Sequence, residues 1–152
     1  FDLNGIYAFN DKVSAEIGIA YQQGKKTSKK GIYQDSDLVE IPPLKTRLAV
    51  KYDDGSLYAL VEGIYSAKQS KVDYFDLKEQ ETGSWFIVNL KAGYTYNKRL
   101  FVGVGVDNVF DKFYYNYLSY VRDPFRGISK NGTPVKIPEP GRFLYANVSY
   151  RF

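Results

Sequence analysis

Residues 141–152 read Gly-Arg-Phe-Leu-Tyr-Ala-Asn-Val-Ser-Tyr-Arg-Phe, and this stretch decides the fold class. Counted back from Phe152 in steps of two, every residue as far as Leu144 is apolar or aromatic, while the residues between them are polar or amphipathic. A period of two predicts a β-strand with one apolar face and one wet face. Such a strand suits the wall of a transmembrane barrel or the last strand of a soluble sandwich, and only the rest of the chain separates the two.

The same alternation recurs along the whole chain and predicts an all-β, antiparallel, up-and-down fold. Besides the last strand, the predicted strands cover residues 1–9, 13–22, 44–52, 56–68, 86–96 and 100–107. Short turns are predicted at residues 10–12, 53–55 and 97–99, and long polar loops at 24–43, 69–83 and 110–140. Strict alternation of short turns with long loops is typical of transmembrane barrels.

Strand length and aromatic content favour the membrane interpretation. The predicted strands have roughly 9–13 residues, whereas a tilted transmembrane strand needs about 9–11 and a soluble strand has about 5–6. Aromatic residues make up 17% of the chain, and we expect them to form two girdles at the membrane interfaces. Near the short turns the girdle residues are Tyr7, Phe9, Tyr52, Tyr94, Tyr96, Phe101, Tyr150 and Phe152. Near the long loops they are Tyr21, Tyr65, Trp85 and Phe86.

Composition excludes several function classes. The 152 residues contain no Cys, His or Met, and the net charge is only +4. Without His or Cys, the hydrolase constellations of barrel proteases and lipases are excluded, and no phosphate loop or metal-ligand spacing is present. We therefore predict no enzyme activity, no cofactor and no nucleic-acid partner. The chain also lacks an apolar run long enough for a transmembrane helix.

About seven strands are too few for a lone bacterial barrel, which has an even number of strands and at least about eight. The chain begins at Phe1, inside a strand pattern, with neither an initiating Met nor a signal peptide. We therefore expect residues 1–152 to be one side of a larger barrel.

Three motifs resemble the C-terminal end of TonB-dependent outer-membrane receptors. They are Val104–Lys112 (VGVDNVFDK), Pro140–Phe143 (PGRF) and the terminal Ser149–Phe152 (SYRF). The resemblance implies a C-terminal fragment of about seven strands of a 22-stranded barrel, closed by an N-terminal plug. It implies import of a ferric siderophore, a metal complex, haem or cobalamin, driven by the TonB complex through an absent N-terminal part. It also implies a bacterial outer-membrane location, with long loops outside and short turns in the periplasm.

The wording of Leu118–Phe125 (LSYVRDPF), close to the PGR motif, also resembles the copper-receptor branch of that family. Copper prefers sulfur or imidazole ligands, which this chain does not contain. A copper site on this interpretation must lie elsewhere in the protein.

The long last loop is the predicted substrate region because it mixes aromatic rings with fixed charges. Flat rings can stack on planar chelates, and arginine binds carboxylate or catecholate oxygens through two donors. The alternative is that the rings merely order the loop. The candidate residues are Tyr114, Tyr115, Tyr117, Tyr120, Arg122, Asp123 and Arg126, flanked by Phe113 and Phe125. The terminal residues Leu144, Val148, Tyr150 and Phe152 resemble the signal that the barrel-assembly machinery reads.

Two further sets of charges are predicted to meet partners. One set faces the lumen and either bonds the plug or belongs to a hydrated barrel wall: Glu16, Lys45, Arg47, Lys51, Glu62, Lys91, Asp107 and Arg151. The other set, Lys25, Lys26, Lys29 and Lys30, either meets outer-leaflet lipopolysaccharide or is simply solvated. The main functional alternative to the receptor is a passive porin or structural outer-membrane barrel, followed by a soluble β-sandwich binding module.

Overall fold

Seven long strands form one antiparallel sheet in the computed structural model, which describes residues 1–26, 37–38, 40–72, 79–121 and 134–152. The strands are β1 (Asp2–Ala8), β2 (Val13–Ala20), β3 (Lys45–Asp53), β4 (Leu57–Ser66), β5 (Trp85–Tyr96), β6 (Leu100–Asp107), β7 (Tyr120–Val121), β8 (Val135–Lys136) and β9 (Phe143–Tyr150). The sheet has the order β1-β2-β3-β4-β5-β6-β9, so each long strand pairs with the next along the chain. In the described ranges no helix is long and apolar enough to span a membrane.

The seven predicted strands and their up-and-down order are confirmed. Strands β3, β4 and β5 have 9, 10 and 12 residues, within the expected 9–13. The other four long strands have only 7 or 8 residues, and in β1, β2 and β9 the outermost predicted residues lie in turns or loops beyond the ladder. Strands β7 and β8 form a separate two-stranded sheet inside the last loop, which the sequence did not predict. Two residues per strand are too few to show a period.

Short turns at one end of the sheet follow from the residues predicted there. Asn10 Oδ1 accepts backbone N–H bonds from the residues two and three positions on, at 2.9 and 3.0 Å. Asp54 Oδ1 does the same at 3.0 and 2.8 Å, and Gly55 beside it has a φ of 87°. The third turn needs positive φ at Asn97 and Lys98, 48° and 58°. Asn, Asp and Gly tolerate this backbone best, so the turns fix the register of each hairpin.

One face of the sheet is apolar from β1 to β9. A single row of directly paired residues crosses all seven strands and contains no charge: Tyr7, Ala15, Val50, Val61, Leu90, Val106 and Leu144. Large side chains of this face are open rather than packed, with Val104 55%, Leu144 71% and Val148 69% exposed. We call it the outer face. An apolar face this wide and this open is what lipid contact requires.

The opposite, inner face holds the polar residues and most of the buried side chains. Ala49, Leu60 and Ile87 are buried there, and Glu62 and Asn89 are directly paired neighbours on β4 and β5. In the fourth strand both sets of alternate residues are mostly apolar, so the sequence pattern did not show which set faces inward. Glu62 was placed inward because of the cost of exposing its charge to lipid, and this position is correct.

Two girdle assignments are wrong. Trp85 is only 6% exposed, lies on the inner face and packs its ring 4.4 Å from that of Tyr114. Phe101 also lies on the inner face, where its ring covers Gly93 so closely that an added Cβ there would come within 2.6 Å of it. Both residues were assigned to a girdle from their position along the strand axis alone. The period of two places Trp85 on the other face of the sheet from Phe86, and Phe101 on the other face from Val102.

Candidate functional site

A chain of polar side chains crosses the inner face between β2 and the start of the last loop (residues 108–142). Its centre is Arg47, which donates through one terminal nitrogen to Glu16 at 2.8 Å and through Nε to Glu62. The Glu62 side chain is 11% exposed, against 26% for Glu16 and 40% for Arg47. Arg47 therefore neutralises the largely buried carboxylate of Glu62 and also binds the more exposed carboxylate of Glu16.

The polar chain continues through two buried amides. Asn89 Nδ2 donates to Glu62 Oε1 at 2.9 Å, and Asn89 Oδ1 accepts the backbone N–H of Asn108 at 2.9 Å. Asn89 and Asn108 are 7% and 3% exposed. Because buried polar groups are costly unless they are bonded, the chain fixes where the last loop leaves the sheet. We call Glu16, Arg47, Glu62, Asn89 and Asn108 the polar chain.

Both ends of the last loop are tied together by the residues of the quoted motifs. The Asn108 amide bonds the backbone of Lys112 on both sides, accepting its N–H at 2.9 Å and donating to its carbonyl at 2.8 Å. The same amide reaches the carbonyl of Pro140 at 3.4 Å. Asp111 Oδ1 accepts the N–H of Arg142 at 2.8 Å. The NVFDK and PGR motifs thus form one root for the loop.

The described parts of the three loops contact one another above the sheet. Tyr120 of the last loop bonds Glu40 of the first loop (residues 21–44). Glu79 of the second loop (residues 67–84) accepts the backbone N–H of Glu40 at 2.7 Å. Gln80 Nε2 donates to the carbonyl of Pro134 at 3.1 Å. These contacts join segments far apart in sequence into one surface.

Electrostatics keep the loop phenols protonated. Burial raises the pKa of Tyr114, with a further contribution from the nearby carboxylates of Glu139 and Asp107. Burial also raises the pKa of Tyr117, followed by the Glu79 carboxylate. The pKa of Lys136 is lowered by burial against the opposing effect of Glu79. Both phenols are therefore neutral near physiological pH, so the loop contains them as uncharged aromatic rings rather than as phenolates.

The predicted substrate residues have different surroundings. Tyr114 packs on Trp85, Tyr117 is only 5% exposed, and Tyr115 meets Phe113 edge-on with ring centroids 5.2 Å apart. The charged members Arg122, Asp123 and Arg126, together with Phe125, lie outside the described residues, as do Lys29 and Lys30 of the lysine cluster. The substrate role of the set stays a prediction.

The predicted assembly residues lie on one surface. Leu144, Val148 and Tyr150 belong to the outer face, and Phe152 follows with its ring 5.2 Å from that of Tyr150. Their recognition by the assembly machinery stays a prediction.

The sequence analysis did not identify the polar residues whose hydrogen bonds connect one strand or loop to another. Glu40, Glu79 and Asn89 were not singled out, although Glu40 and Glu79 connect two loops and Asn89 binds Glu62 on the inner face. Asn89 carried a usable signal, since it is an amide at an inner-face position two residues before the inner-face charge Lys91. Glu40 and Glu79 carried none, because their partners lie on other loops. No cluster of three His, Cys, Asp or Glu residues able to hold a metal occurs within the described ranges.

Comparison with known proteins matches residues 1–109 to the family described as TonB dependent receptor-like, beta-barrel. The matched region covers the first six long strands and ends inside the NVFDK motif, whereas the motifs quoted from the sequence lie at residues 104–152. No curated protein matches the chain.

Solved receptors share the fold over nearly the whole chain. The copper transporter OprC superposes with a TM-score of 0.84 and 26% identity over 99% of this chain. The ferric yersiniabactin uptake receptor FyuA from Yersinia pestis gives 0.75 and 17% over 99%, and the ferric enterobactin receptor PfeA from Pseudomonas aeruginosa gives 0.69 and 19% over 98%. The chain spans only 23%, 23% and 21% of those three proteins, so it corresponds to about a quarter of each.

Proposed function

Because the chain belongs to the TonB-dependent receptor family of β-barrels, we propose that its sheet is one wall of an outer-membrane receptor that imports a scarce, metal-containing nutrient. The observation that carries the proposal is the division of the sheet into an uncharged, open outer face and a polar inner face. The row from Tyr7 to Leu144 would touch lipid, and the polar chain would face a wet lumen.

The edges of the sheet support a larger barrel. In the described residues, β1 pairs only with β2, and β9 pairs only with β6. An unpaired edge cannot face hydrocarbon, because each unbonded backbone group there costs several kcal/mol, of the order of 2–7. We infer that residues 1–152 are the C-terminal wall of a barrel that other strands close, with 22 strands as the family resemblance implies.

We infer the orientation of the sheet in the membrane from the lengths of its connections. The short turns would face the periplasm, and the three long loops would face outward, where a nutrient arrives. The inner-face charges would then bond the plug domain of the same receptor or line the nutrient's path. TonB would act through the receptor's N-terminal part, and the outer ends of the loops would meet lipopolysaccharide.

The nutrient class is narrowed by the relatives and by the residues. OprC is named as a copper transporter, and FyuA and PfeA as receptors for ferric yersiniabactin and ferric enterobactin. With no Cys, His or Met, this wall offers a metal only oxygen ligands and aromatic surface. It therefore suits the outside of a metal chelate better than a bare copper ion, whose ligands would come from another part of the receptor.

Energy-dependent metal uptake tests the proposal. Cells with and without the receptor would be grown in metal-depleted medium and supplied with labelled iron chelate or copper. We expect receptor-dependent accumulation that saturates and stops when an uncoupler collapses the proton gradient. A passive porin would instead give accumulation that neither saturates at low concentration nor responds to the uncoupler, and that result would overturn the receptor assignment.

A further inference from the structure

A groove lies on the outer face at the short-turn end of the sheet. Its floor is Leu100 of β6, which pairs directly with Tyr96 of β5 on one side and with Tyr150 of β9 on the other. The two tyrosine side chains are 57% and 53% exposed and Leu100 is partly exposed, so the groove is open to its surroundings. Residues 97–99 of the third turn line its end. The groove is therefore apolar along the strands and polar at the turn.

The turn end of the groove carries two cations, Lys98 and Arg99. Both side chains are exposed, and in the described part of the chain neither forms an ion pair or a side-chain hydrogen bond. No acidic residue occurs in residues 94–101 or 149–152, which surround the groove. The second turn contains Asp54, whose carboxylate accepts backbone N–H bonds within its own turn. Two exposed cations without a counter-charge attract an anion.

The backbone of the third turn is fixed relative to the groove. Asn97 and Lys98 have φ of 48° and 58°, and the N–H of Arg99 donates to the carbonyl of Tyr96 at 3.1 Å, which closes the turn. The Arg99 carbonyl accepts the backbone N–H of Arg151 at 2.8 Å, so the turn is also bonded to the residue that follows β9. Both basic side chains therefore start from defined positions at the edge of the apolar floor.

The other two short turns do not carry such a charge. Residues 10–12 contain one acid and one base, and residues 53–55 contain two acids, for net charges of 0 and −2, whereas residues 97–99 carry +2. Positive charge at this end of the sheet is thus concentrated beside one groove rather than spread along the rim.

We propose that this groove binds an anionic phospholipid of the periplasmic leaflet, with its phosphate on Lys98 and Arg99 and an acyl chain along Leu100 between the two tyrosines. Arginine binds phosphate through two donors, and tyrosine favours the headgroup level of a membrane. A water-soluble anion would use the cations alone, whereas a phospholipid uses the cations and the apolar floor. The inference rests on the proposed function in taking the outer face as lipid-facing and the short turns as periplasmic.

Lipid binding to the purified full-length receptor tests the groove without requiring transport. The receptor in a neutral detergent would be titrated with short-chain phosphatidylglycerol or phosphatidylcholine, and native mass spectrometry would measure the lipid-bound fraction. Because each basic side chain near an anionic headgroup strengthens binding about five-fold, we expect phosphatidylglycerol to bind at least about ten-fold more tightly than phosphatidylcholine. The deacylated headgroup, glycerophosphoglycerol, should bind at least about ten-fold more weakly than phosphatidylglycerol, because it cannot contact the apolar floor.

Matched variants assign the charge. Lys98→Asn combined with Arg99→Gln removes both cations, and asparagine tolerates the positive φ at this position. We expect this double variant to bind the two phospholipids within about three-fold of each other. Lys12→Gln is the control, because it removes an exposed cation from the first turn, and it should keep the wild-type preference. If the double variant fails to insert, Arg99→Gln alone should lower the preference about five-fold.

Four results would overturn the inference. They are a wild-type preference below about ten-fold, a headgroup less than about ten-fold weaker than the lipid, a double variant whose preference stays above about three-fold, and an equal loss of preference in Lys12→Gln. Tight binding of the deacylated headgroup would assign the turn to a water-soluble anion instead. Uncoupler-sensitive uptake would persist in each case, so failure of the groove and failure of the receptor function are separable.

Discussion

Arg47→Met breaks the polar chain at its centre and should destabilise the barrel by about 1.5–4 kcal/mol. The arm to Glu62 is the larger contribution, because the Glu62 side chain is 11% exposed and a hydrogen bond to a sheltered charge is worth about 1.5–3 kcal/mol. The ion pair between Arg47 and Glu16, with an N–O distance of 2.8 Å, is more exposed to water and adds about 0–1 kcal/mol. Methionine fills most of the arginine stem's space, so the loss reflects the charge rather than a cavity.

A second substitution separates the lost bond from the buried charge left behind. Glu62→Gln keeps an acceptor for Asn89 but removes the carboxylate that Arg47 neutralises. If most of the cost is an uncompensated charge, the double variant should lie within about 1 kcal/mol of the wild type. The cycle therefore predicts strong coupling between the two positions rather than additive losses.

The assay is equilibrium unfolding of the full-length receptor in lipid vesicles by urea, with Lys51→Met as a surface-charge control on the same strand. Arg47→Met within about 0.5 kcal/mol of the wild type would show that the polar chain contributes no stability. A double variant as unstable as Arg47→Met would show that the loss comes from altered packing.

Three further outcomes are expected. Val104→Arg, on the outer face, should cost about 2–4 kcal/mol, whereas Asn147→Arg on the inner face of β9 should cost about 1 kcal/mol or less; equal costs in the vesicle assay would reverse the faces. Deletion of Phe152 should lower insertion without lowering synthesis, seen as loss of the heat-modifiable band, and normal insertion would remove its signal role. Backbone N–H bonds lower the pKa of Asp54, so its contribution is present above the ordinary carboxyl pKa of about 3.9 and is lost as the pH falls through the lowered value. Asp54→Asn should therefore flatten the acid limb of the stability profile, and an unchanged limb would contradict the assignment.

The faces and turns could be predicted because both depend on neighbours in sequence. Any sheet with one apolar and one polar face requires a period of two in the sequence of its strands. Asn10, Asp54 and Gly55 form turns through interactions with residues no more than three positions away. Trp85 and Phe101 were assigned to the wrong face because their position along the strand axis was given more weight than that period. The aromatic ring of Phe101 covers a glycine instead of lipid, a contact that depends on the facing strand.

The loop surface could not be predicted for the opposite reason. The bond between Tyr120 and Glu40 joins residues 80 positions apart, and the Glu79 contact with the backbone of Glu40 spans 39 positions. Nothing local distinguishes these two glutamates from the other acidic residues of the loops. Only the meander, which brings all the long connections to one end of the sheet, makes such pairs possible.

The joint occurrence of the NVFDK and PGR motifs follows from this geometry. A loop of about thirty residues costs entropy to close, and that cost grows only slowly with its length. Asn108 and Asp111 close the loop at its root, bonding Pro140 and Arg142 across 31 to 32 positions. Asn89 in turn ties Asn108 to the charged centre of the wall. The root therefore holds β6 and β9 together where the last loop leaves and re-enters the sheet.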